Sequence, residues 1–235
     1  DARVIERAAA ILRDGGLVAL PTETVYGLAA RSDRPGALSR LLEVRQSPQE
    51  KNLTIHLGDV DQLVHHVTAV PVFAARLIHR FWPGPLTIVF DGPRGPGTPS
   101  VGIRIPAHPV CSEVLSRAGG PVVLPSANLS GRPPAQDADE VMKIFAGKIE
   151  LVVDAGPSRI GTASTVVRIG RDRWEVLRSG AIPPSLLQDL DFRKVLFVCT
   201  GNTCRSPMAA ALFRRRVAGR LGVGDEALAD CGVHV

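Results

Sequence analysis

Short apolar runs that alternate with helical patterns are the feature that most constrains the fold of this chain. Runs typical of buried strands occupy residues 17–20, 53–57, 86–90, 101–105, 121–124, 164–169, 173–177 and 195–198. Apolar residues at helical spacing occupy 2–16, 36–44, 70–81, 108–118 and 137–146. Strands and helices interleave without a strict strand-helix repeat. The sequence therefore predicts an α/β fold with a mixed sheet rather than an all-parallel one.

A proline pair near residue 183 indicates a domain boundary. The segment AIPPSLLQDLDFRK, residues 181–194, precedes the new apolar run VLFV. We predict a first domain over 1–183, a linker over 184–193 and an incomplete second domain over 194–235.

Composition excludes several classes of protein. No apolar stretch approaches the roughly 20 residues of a membrane span, and no secretory signal is recognisable, so we expect a cytoplasmic protein. The four cysteines have neither zinc-site nor disulfide-framework spacing. A formal charge of +5 is compatible with nucleic acid or phosphate-bearing substrates, and charge alone does not choose between them.

Several polar residues of the first domain stand where strands end. PTETVYGLA, residues 21–29, places two threonines and a glutamate after the first strand, where the hydroxyls can hold a polar ligand or cap the helix that follows. Arg45, Lys51, Arg104 and Arg178 can converge on a polyphosphate, although each alone is more often a solvated surface charge. PSANLSG, residues 125–131, can close around a nucleotide or form a plain turn. No Ser-His-Asp grouping, zinc spacing or Walker loop appears in the first 190 residues.

These stretches carry a family resemblance. PTETVYGL, FWPGPLT, VGIRIPAHP, PSANLSG, ASTVV and VLRSGAI resemble motifs of the Sua5/YrdC/TsaC threonylcarbamoyl-AMP synthases, in the same order. The resemblance covers residues 1–183 and implies a YrdC-like twisted mixed sheet with flanking helices and a concave basic cleft. It also implies the synthesis of threonylcarbamoyl-AMP from L-threonine, bicarbonate or CO2 and ATP with Mg2+, for the t6A modification of tRNA. Downstream threonylcarbamoyl-transfer proteins, and tRNA or double-stranded RNA, are the implied macromolecular partners.

The resemblance also implies a site map. L-threonine would be surrounded by Thr24, His56, Arg104, Leu124 through its backbone, and Ser164. ATP would be faced by Arg45, Lys51, Ser100, Ser126, Asn128 and Arg178. Arg104 would hold the threonine carboxylate in a two-point contact. No covalent enzyme intermediate is expected, and no metal-ligating residue is assigned.

The chain departs from the family pattern before its second strand. Glu43 stands where the family usually has lysine, and the loop over 46–52 is about two residues longer. A carboxylate beside a triphosphate weakens binding unless the carboxylate turns away or holds a metal ion.

A second constellation follows the linker. VLFVCTGNTCRSPMAAALFRRR resembles the start of the low-molecular-weight protein tyrosine phosphatases. In the pattern Cys199-x5-Arg205-Ser206, loop amides and the arginine can hold a phosphate, and the following helix can activate the thiolate. The general-acid Asp-Pro pair of that family does not occur in the 235 residues, so we expect negligible phosphatase turnover.

Three other functions remain open from the sequence. They are a non-catalytic RNA-binding YrdC-like module, an adenylating domain with a different acceptor, as in carbamoyltransferases, and a phosphatase with an N-terminal regulatory domain.

Overall fold

The computed structural model describes residues 1–47, 53–92, 98–170, 174–191, 193–229 and 233–235. The chain divides into two compact units, Asp1–Pro183 and Pro184–Val235. The first unit contains the helices α1 (Ala2–Arg13), α2 (Pro35–Val44), α3 (Val72–Phe81), α4 (Pro109–Arg117) and α5 (Ala138–Phe145). Its strands are β1 (Val18–Leu20), β2 (Gly27–Arg31), β3 (Ile55–His56), β4 (Leu86–Phe90), β5 (Val101–Arg104), β6 (Val122–Val123), β7 (Leu151–Val152), β8 (Thr165–Ile169) and β9 (Trp174–Arg178).

The strands of the first unit form one mixed sheet, in the order β7-β1-β2-β6-β3-β5-β4-β8-β9 among the described residues. The pairs β1/β7, β3/β5 and β4/β8 are parallel. The pairs β1/β2, β2/β6, β3/β6, β4/β5 and β8/β9 are antiparallel. The predicted mixed α/β fold is confirmed.

Helices cover both faces of the sheet. Neighbouring residues of β1 point to opposite faces and therefore pack against different helices. Ala19 packs with α2 and α5, in a cluster that includes Leu41 and Phe145. Val18 packs with α1 and α4, in a cluster that includes Leu12. A strand buried on both sides must be apolar throughout, which explains the unbroken run over 17–20.

Local signals fix the ends of α1. The Asp1 carboxylate accepts a hydrogen bond from the backbone N–H of Arg3 and so caps the first turn. After the helix, Gly15 adopts a φ of +86°, the left-handed conformation that glycine tolerates best.

The second unit contains α6 (Pro184–Asp191), α7 (Arg205–Leu221), and the strands β10 (Arg193–Lys194) and β11 (Val233–His234), which pair in parallel. The segment predicted as a linker therefore contains a helix. Pro184 is compatible with the first turn, because the N–H that proline lacks would have no hydrogen-bond partner within the helix there. Leu196 and Val198, in the predicted strand 195–198, are exposed, and this segment is not a strand. Among the described residues, no helix has both the length and the apolarity needed to cross a membrane.

Candidate active site

A cavity of about 250 Å³ lies in the first unit, where several strands of the mixed sheet end. Its wall is formed by residues that follow β1, end β3, β5 and β9, and flank β6 and β8. The lining residues are Thr22, Thr24, Val25, Tyr26, Gly27, Arg45, Leu53, Thr54, His56, Thr87, Arg104, Leu124, Pro125, Ser126, Ala163, Ser164 and Arg178. Eight of the predicted site residues therefore share one cavity: Thr24, Arg45, His56, Arg104, Leu124, Ser126, Ser164 and Arg178.

Arg104 is buried and held from three directions. Its Nη2 donates to Glu23 Oε1 at 2.7 Å and to Thr24 Oγ1 at 2.9 Å, and its Nε donates to the Gly84 carbonyl at 3.2 Å. Among the described residues, Nη1 has no hydrogen-bond acceptor. The two-point contact expected from the sequence is thus not available from Nε and Nη2, and the N–H groups of Nη1 are left for a ligand.

Arg178 and Arg45 are the other two guanidinium groups of the cavity wall. Arg178 donates to the Ser164 carbonyl from Nη2 at 2.8 Å and from Nε at 3.2 Å, and its Nη2 lies 3.1 Å from Ser164 Oγ. Arg45 is half-buried, and its Nε donates to the Ser126 carbonyl at 3.2 Å. Within the described part of the chain, neither side chain pairs with a carboxylate. Loss of water around each group lowers its pKa, and the positive charge of Arg104 lowers that of Arg178 further.

His56 is a buried, uncharged hydrogen-bonding group. Burial lowers its pKa to about 3, the nearby charge of Arg104 acts in the same direction, and a hydrogen bond with the Thr54 carbonyl opposes them. Its Nδ1 lies 3.1 Å from that carbonyl oxygen, which can only accept, so Nδ1 carries the proton. In the neutral ring Nε2 is then an acceptor. His56 therefore offers the cavity wall an acceptor that stays unprotonated at neutral pH.

The PSANLSG loop is closed by its own side chains. Ser126 Oγ donates to Asn128 Oδ1 at 2.6 Å, and Asn128 Nδ2 donates to the carbonyls of Leu129 at 2.7 Å and Arg132 at 2.8 Å. The Ser130 N–H donates to the Arg45 carbonyl at 2.9 Å. Asn128 is thus committed to the loop that positions Ser126 and Arg45, and it does not line the cavity.

The remaining residues considered on the ATP side are Ser100, Lys51 and Glu43. Ser100 is exposed and outside the cavity wall. Lys51, with residues 48–52 of the lengthened loop, lies outside the described residues. Glu43 is exposed on α2 and does not line the cavity. The carboxylate that departs from the family pattern therefore does not form part of the wall.

Two functional candidates were missed by sequence reasoning. Glu23 is buried behind Arg104, and its second oxygen accepts the Ala107 N–H at 3.0 Å. Thr87 Oγ1 lies 2.9 Å from Ser164 Oγ in the cavity wall. Glu23 could have been found from the sequence, because it is a carboxylate within the motif PTETVYGL and a charge in an apolar setting needs a partner.

One glycine of the wall is required by close packing. At Gly27, a Cβ would lie 2.6 Å from Leu124 Cγ. The backbone at Gly27 and Ser126 forms an isolated bridge, which brings Leu124 against the strand that carries the first motif. A side chain at position 27 would push Leu124 away.

In the second unit, Cys199 lies in the loop that precedes α7, with its Sγ beside the first turn of that helix. Its Sγ accepts the Asn202 N–H at 3.1 Å and lies 3.0 Å from Ser206 Oγ. These contacts, led by the Ser206 hydroxyl, lower the Cys199 pKa to about 7. Arg205 is exposed, and its Nη2 lies 3.5 Å from Thr200 Oγ1. Cys199 can therefore be substantially thiolate at neutral pH.

A family model named for Sua5, YciO and YrdC, with the description "Telomere recombination", matches residues 10–180. The chain belongs to the Sua5/YciO/YrdC family. A second family model, "Low molecular weight phosphotyrosine protein phosphatase", matches residues 194–233. This match makes the second unit similar to the phosphatases over a short segment.

Several family members with known names are similar to the first unit. The threonylcarbamoyl-AMP synthase of Pyrococcus abyssi is 40% identical over 185 residues, with 76% of this chain and 54% of that protein covered. The Bacillus subtilis enzyme of the same name is 39% identical, with the same coverage. The chain thus spans about half the length of these two relatives. The enzyme of Halorhodospira halophila is 36% identical, and 90% of its length is covered.

Solved structures of the Sua5/YciO/YrdC family share the fold. Sua5 of P. abyssi in complex with L-threonine has a TM-score of 0.75 and 36% identity, with 81% of this chain and 58% of that chain covered. Escherichia coli YciO has a TM-score of 0.65 and 25% identity, with coverage of 77% and 90%. Full-length HypF, at 16% identity and a TM-score of 0.62, shares the fold alone.

Proposed function

We propose that the first unit makes threonylcarbamoyl-AMP from L-threonine, bicarbonate or CO2 and ATP, with release of pyrophosphate. The observation that carries the proposal is that one cavity is lined both by an arginine that is paired with a carboxylate and by arginines that are not. Arg104 is compensated by a buried carboxylate, whereas Arg45 and Arg178 have no carboxylate partner among the described residues. Support also comes from the relatives at 39–40% identity that are named for this activity, and from the similar Sua5 that was solved with L-threonine.

The amino-acid end of the cavity is assigned to L-threonine. Nη1 of Arg104 would donate to the substrate carboxylate, and Nε2 of His56 would accept from an O–H or N–H group of the substrate. Thr24 and Ser164 supply hydroxyl groups, and the backbone beside Leu124 closes this end.

The cationic end is assigned to ATP. Arg45 and Arg178 are partly desolvated, so a polyanion can restore the favourable interactions that water no longer gives them. Ser126 would contribute polar contacts, and Lys51, Ser100 and Asn128 remain predictions for this end. Mg2+ would accompany ATP, because Mg2+ is commonly held by substrate phosphates and water with few protein ligands. No cluster of three His, Cys, Asp or Glu side chains suited to a metal occurs among the described residues.

The reaction then requires positioning rather than a covalent enzyme intermediate. The neutral threonine amine attacks CO2 and loses a proton, or attacks bicarbonate with loss of water, and in either case forms a carbamate. A carbamate oxygen attacks the α-phosphorus of ATP, and the bond to the departing pyrophosphate breaks. Arg45 and Arg178 would stabilise the negative charge that develops on the phosphate oxygens.

The deciding experiment measures pyrophosphate release from ATP, bicarbonate and Mg2+, with and without L-threonine. Threonine-dependent release supports the synthase, and formation of threonylcarbamoyl-AMP identifies the product. Pyrophosphate release that does not respond to threonine refutes the synthase proposal. Salt-sensitive RNA binding without such release would instead favour the RNA-binding alternative.

The product would serve the t6A modification of tRNA through separate threonylcarbamoyl-transfer proteins. Binding of tRNA or double-stranded RNA by this chain is a further part of the proposal. Because ATP, threonine and tRNA meet in the cytoplasm, we place the activity there.

For the second unit, we propose a phosphate-binding loop formed by Cys199, Arg205 and Ser206, with negligible phosphatase turnover. The positive end of α7 and the lowered pKa of the thiol favour an oxyanion. Robust hydrolysis of an aryl phosphate that disappears in Cys199→Ser would refute the absence of turnover.

A further inference from the structure

Glu23 carries a charge for which the proposed reaction has no direct use. It is 3% exposed and does not line the cavity, yet it contacts the guanidinium that faces the amino-acid end. Its Oε1 accepts from Arg104 and its Oε2 accepts the Ala107 N–H. Its own carbonyl accepts the Ile160 N–H at 2.8 Å. These contacts fix the carboxylate in place, so it cannot turn toward a ligand.

The cavity wall therefore contains one guanidinium that is paired with a carboxylate and two that are not. At the amino-acid end, the positive charge of Arg104 is largely cancelled by a carboxylate 2.7 Å away. Arg45 and Arg178, which are assigned to the ATP end, keep their full charge, because among the described residues they donate to backbone carbonyls and a serine hydroxyl and not to a carboxylate. A polyphosphate is attracted to uncompensated cations. A zwitterionic amino acid carries no net charge and depends on directed hydrogen bonds.

We propose that Glu23 is a specificity-determining residue that keeps polyphosphate out of the amino-acid end of the cavity. It does so by cancelling the charge of Arg104 while binding its Nη2, which leaves Nη1 for the amino acid. This inference rests on the proposed function, because it assigns the two ends to threonine and to the phosphates of ATP. Without Glu23, Arg104 becomes a third free cation, and the two ligands compete for it.

The test is calorimetric titration of the complete 235-residue chain with inorganic tripolyphosphate, with and without saturating L-threonine. In the unaltered protein, the two ligands should bind together, and saturating threonine should not displace tripolyphosphate. In Glu23→Gln, tripolyphosphate should bind at least about tenfold more tightly, because one buried opposing charge is gone. Threonine and tripolyphosphate should then become competitive.

Two further variants separate charge from general damage. In Glu23→Gln/Arg104→Ala, the gain in tripolyphosphate affinity should disappear, because the freed cation is gone. The matched control is Asp33→Asn, which removes the carboxylate that pairs with the buried Arg31 away from the cavity. It should leave both affinities unchanged.

The proposal is overturned if threonine and tripolyphosphate compete in the unaltered protein, or if a folded Glu23→Gln variant binds tripolyphosphate no more tightly. If that variant does not fold, competition in the unaltered protein decides alone. Failure of threonine-dependent pyrophosphate release would refute the synthase. The change in tripolyphosphate affinity would still test Glu23, so the two failures are distinguishable.

Discussion

Buried His56 should make the stability of the first unit depend on pH. Its folded-state pKa is about 3, against an ordinary value of 6.5, chiefly because burial disfavours the charged ring. The unfolded chain therefore takes up a proton first as the pH falls. The stability that comes from the neutral ring is fully present above pH 6.5 and is lost progressively from there toward pH 3.

The size of the effect follows from proton linkage. Each pH unit between the two pKa values costs about 1.4 kcal/mol, so lowering the pH from 6.5 to 5 should cost about 2 kcal/mol. This figure requires only that the folded-state pKa lie well below 5. The total loss approaches roughly 5 kcal/mol near pH 3, where carboxylates also titrate and the effect is harder to isolate.

Urea unfolding at pH 7 and pH 5 measures the contribution of His56. Both tryptophans, Trp82 and Trp174, belong to the first unit, so their fluorescence reports on that unit alone. His56→Asn is the comparison variant, because its side-chain amide can still donate to the Thr54 carbonyl. The free energy of unfolding of the unaltered protein minus that of the variant should fall by about 2 kcal/mol between the two pH values.

Replacement of an exposed histidine, His79→Asn, controls for the loss of an imidazole as such. An equal difference between the unaltered protein and His56→Asn at pH 7 and pH 5 would refute the reasoning. It would mean that the ring of His56 is protonated in the folded protein or open to water.

The remaining predictions concern substrate use, thiol reactivity and backbone space. Arg104→Ala should lower kcat/KM for threonine about 10- to 100-fold, and Arg178→Ala should act mainly on the KM for ATP; equal, small effects from both in pyrophosphate release would contradict the site map. The rate of Cys199 alkylation should rise with pH, with a midpoint near pH 7, and Ser206→Ala should move that midpoint upward. Mass spectrometry of the labelled peptide measures the rate. An unchanged midpoint would show that the Ser206 hydroxyl is not the main cause of the lowered pKa. In Gly180→Ala the new methyl would lie 2.4 Å from a carbonyl oxygen of the cavity wall, so thermal unfolding should reveal a loss of about 1–3 kcal/mol, which an unchanged Tm would disprove.

Sequence patterns predicted most elements of the first unit but missed strands without a distinctive composition. The run 86–90 is β4 without change, because its β-branched and aromatic residues leave little alternative. β2, with the sequence GLAAR, lacks such residues and is a strand only because β1 and β6 pair with it. Tertiary pairing of this kind is not encoded in local propensity.

In the candidate site too, some features were predicted from the sequence and others were not. The resemblance singled out Arg104, and the structure places it in the cavity wall. Its partner Glu23 is 81 residues away in sequence, so no local pattern connects the two charges. The resemblance assigned Asn128 to ATP, but its amide closes its own loop. Which polar groups are already satisfied can be read only from the folded chain.

The hydrogen bonds between Arg178 and Ser164 join the two ends of the cavity mechanically. A phosphate that draws the guanidinium would also displace the serine carbonyl and hydroxyl to which it is bonded. Binding at one end should then change the affinity at the other, and thermodynamic reciprocity makes the factor identical in both directions. In the proposed synthase, the affinity for each substrate would therefore depend on whether the other is already bound.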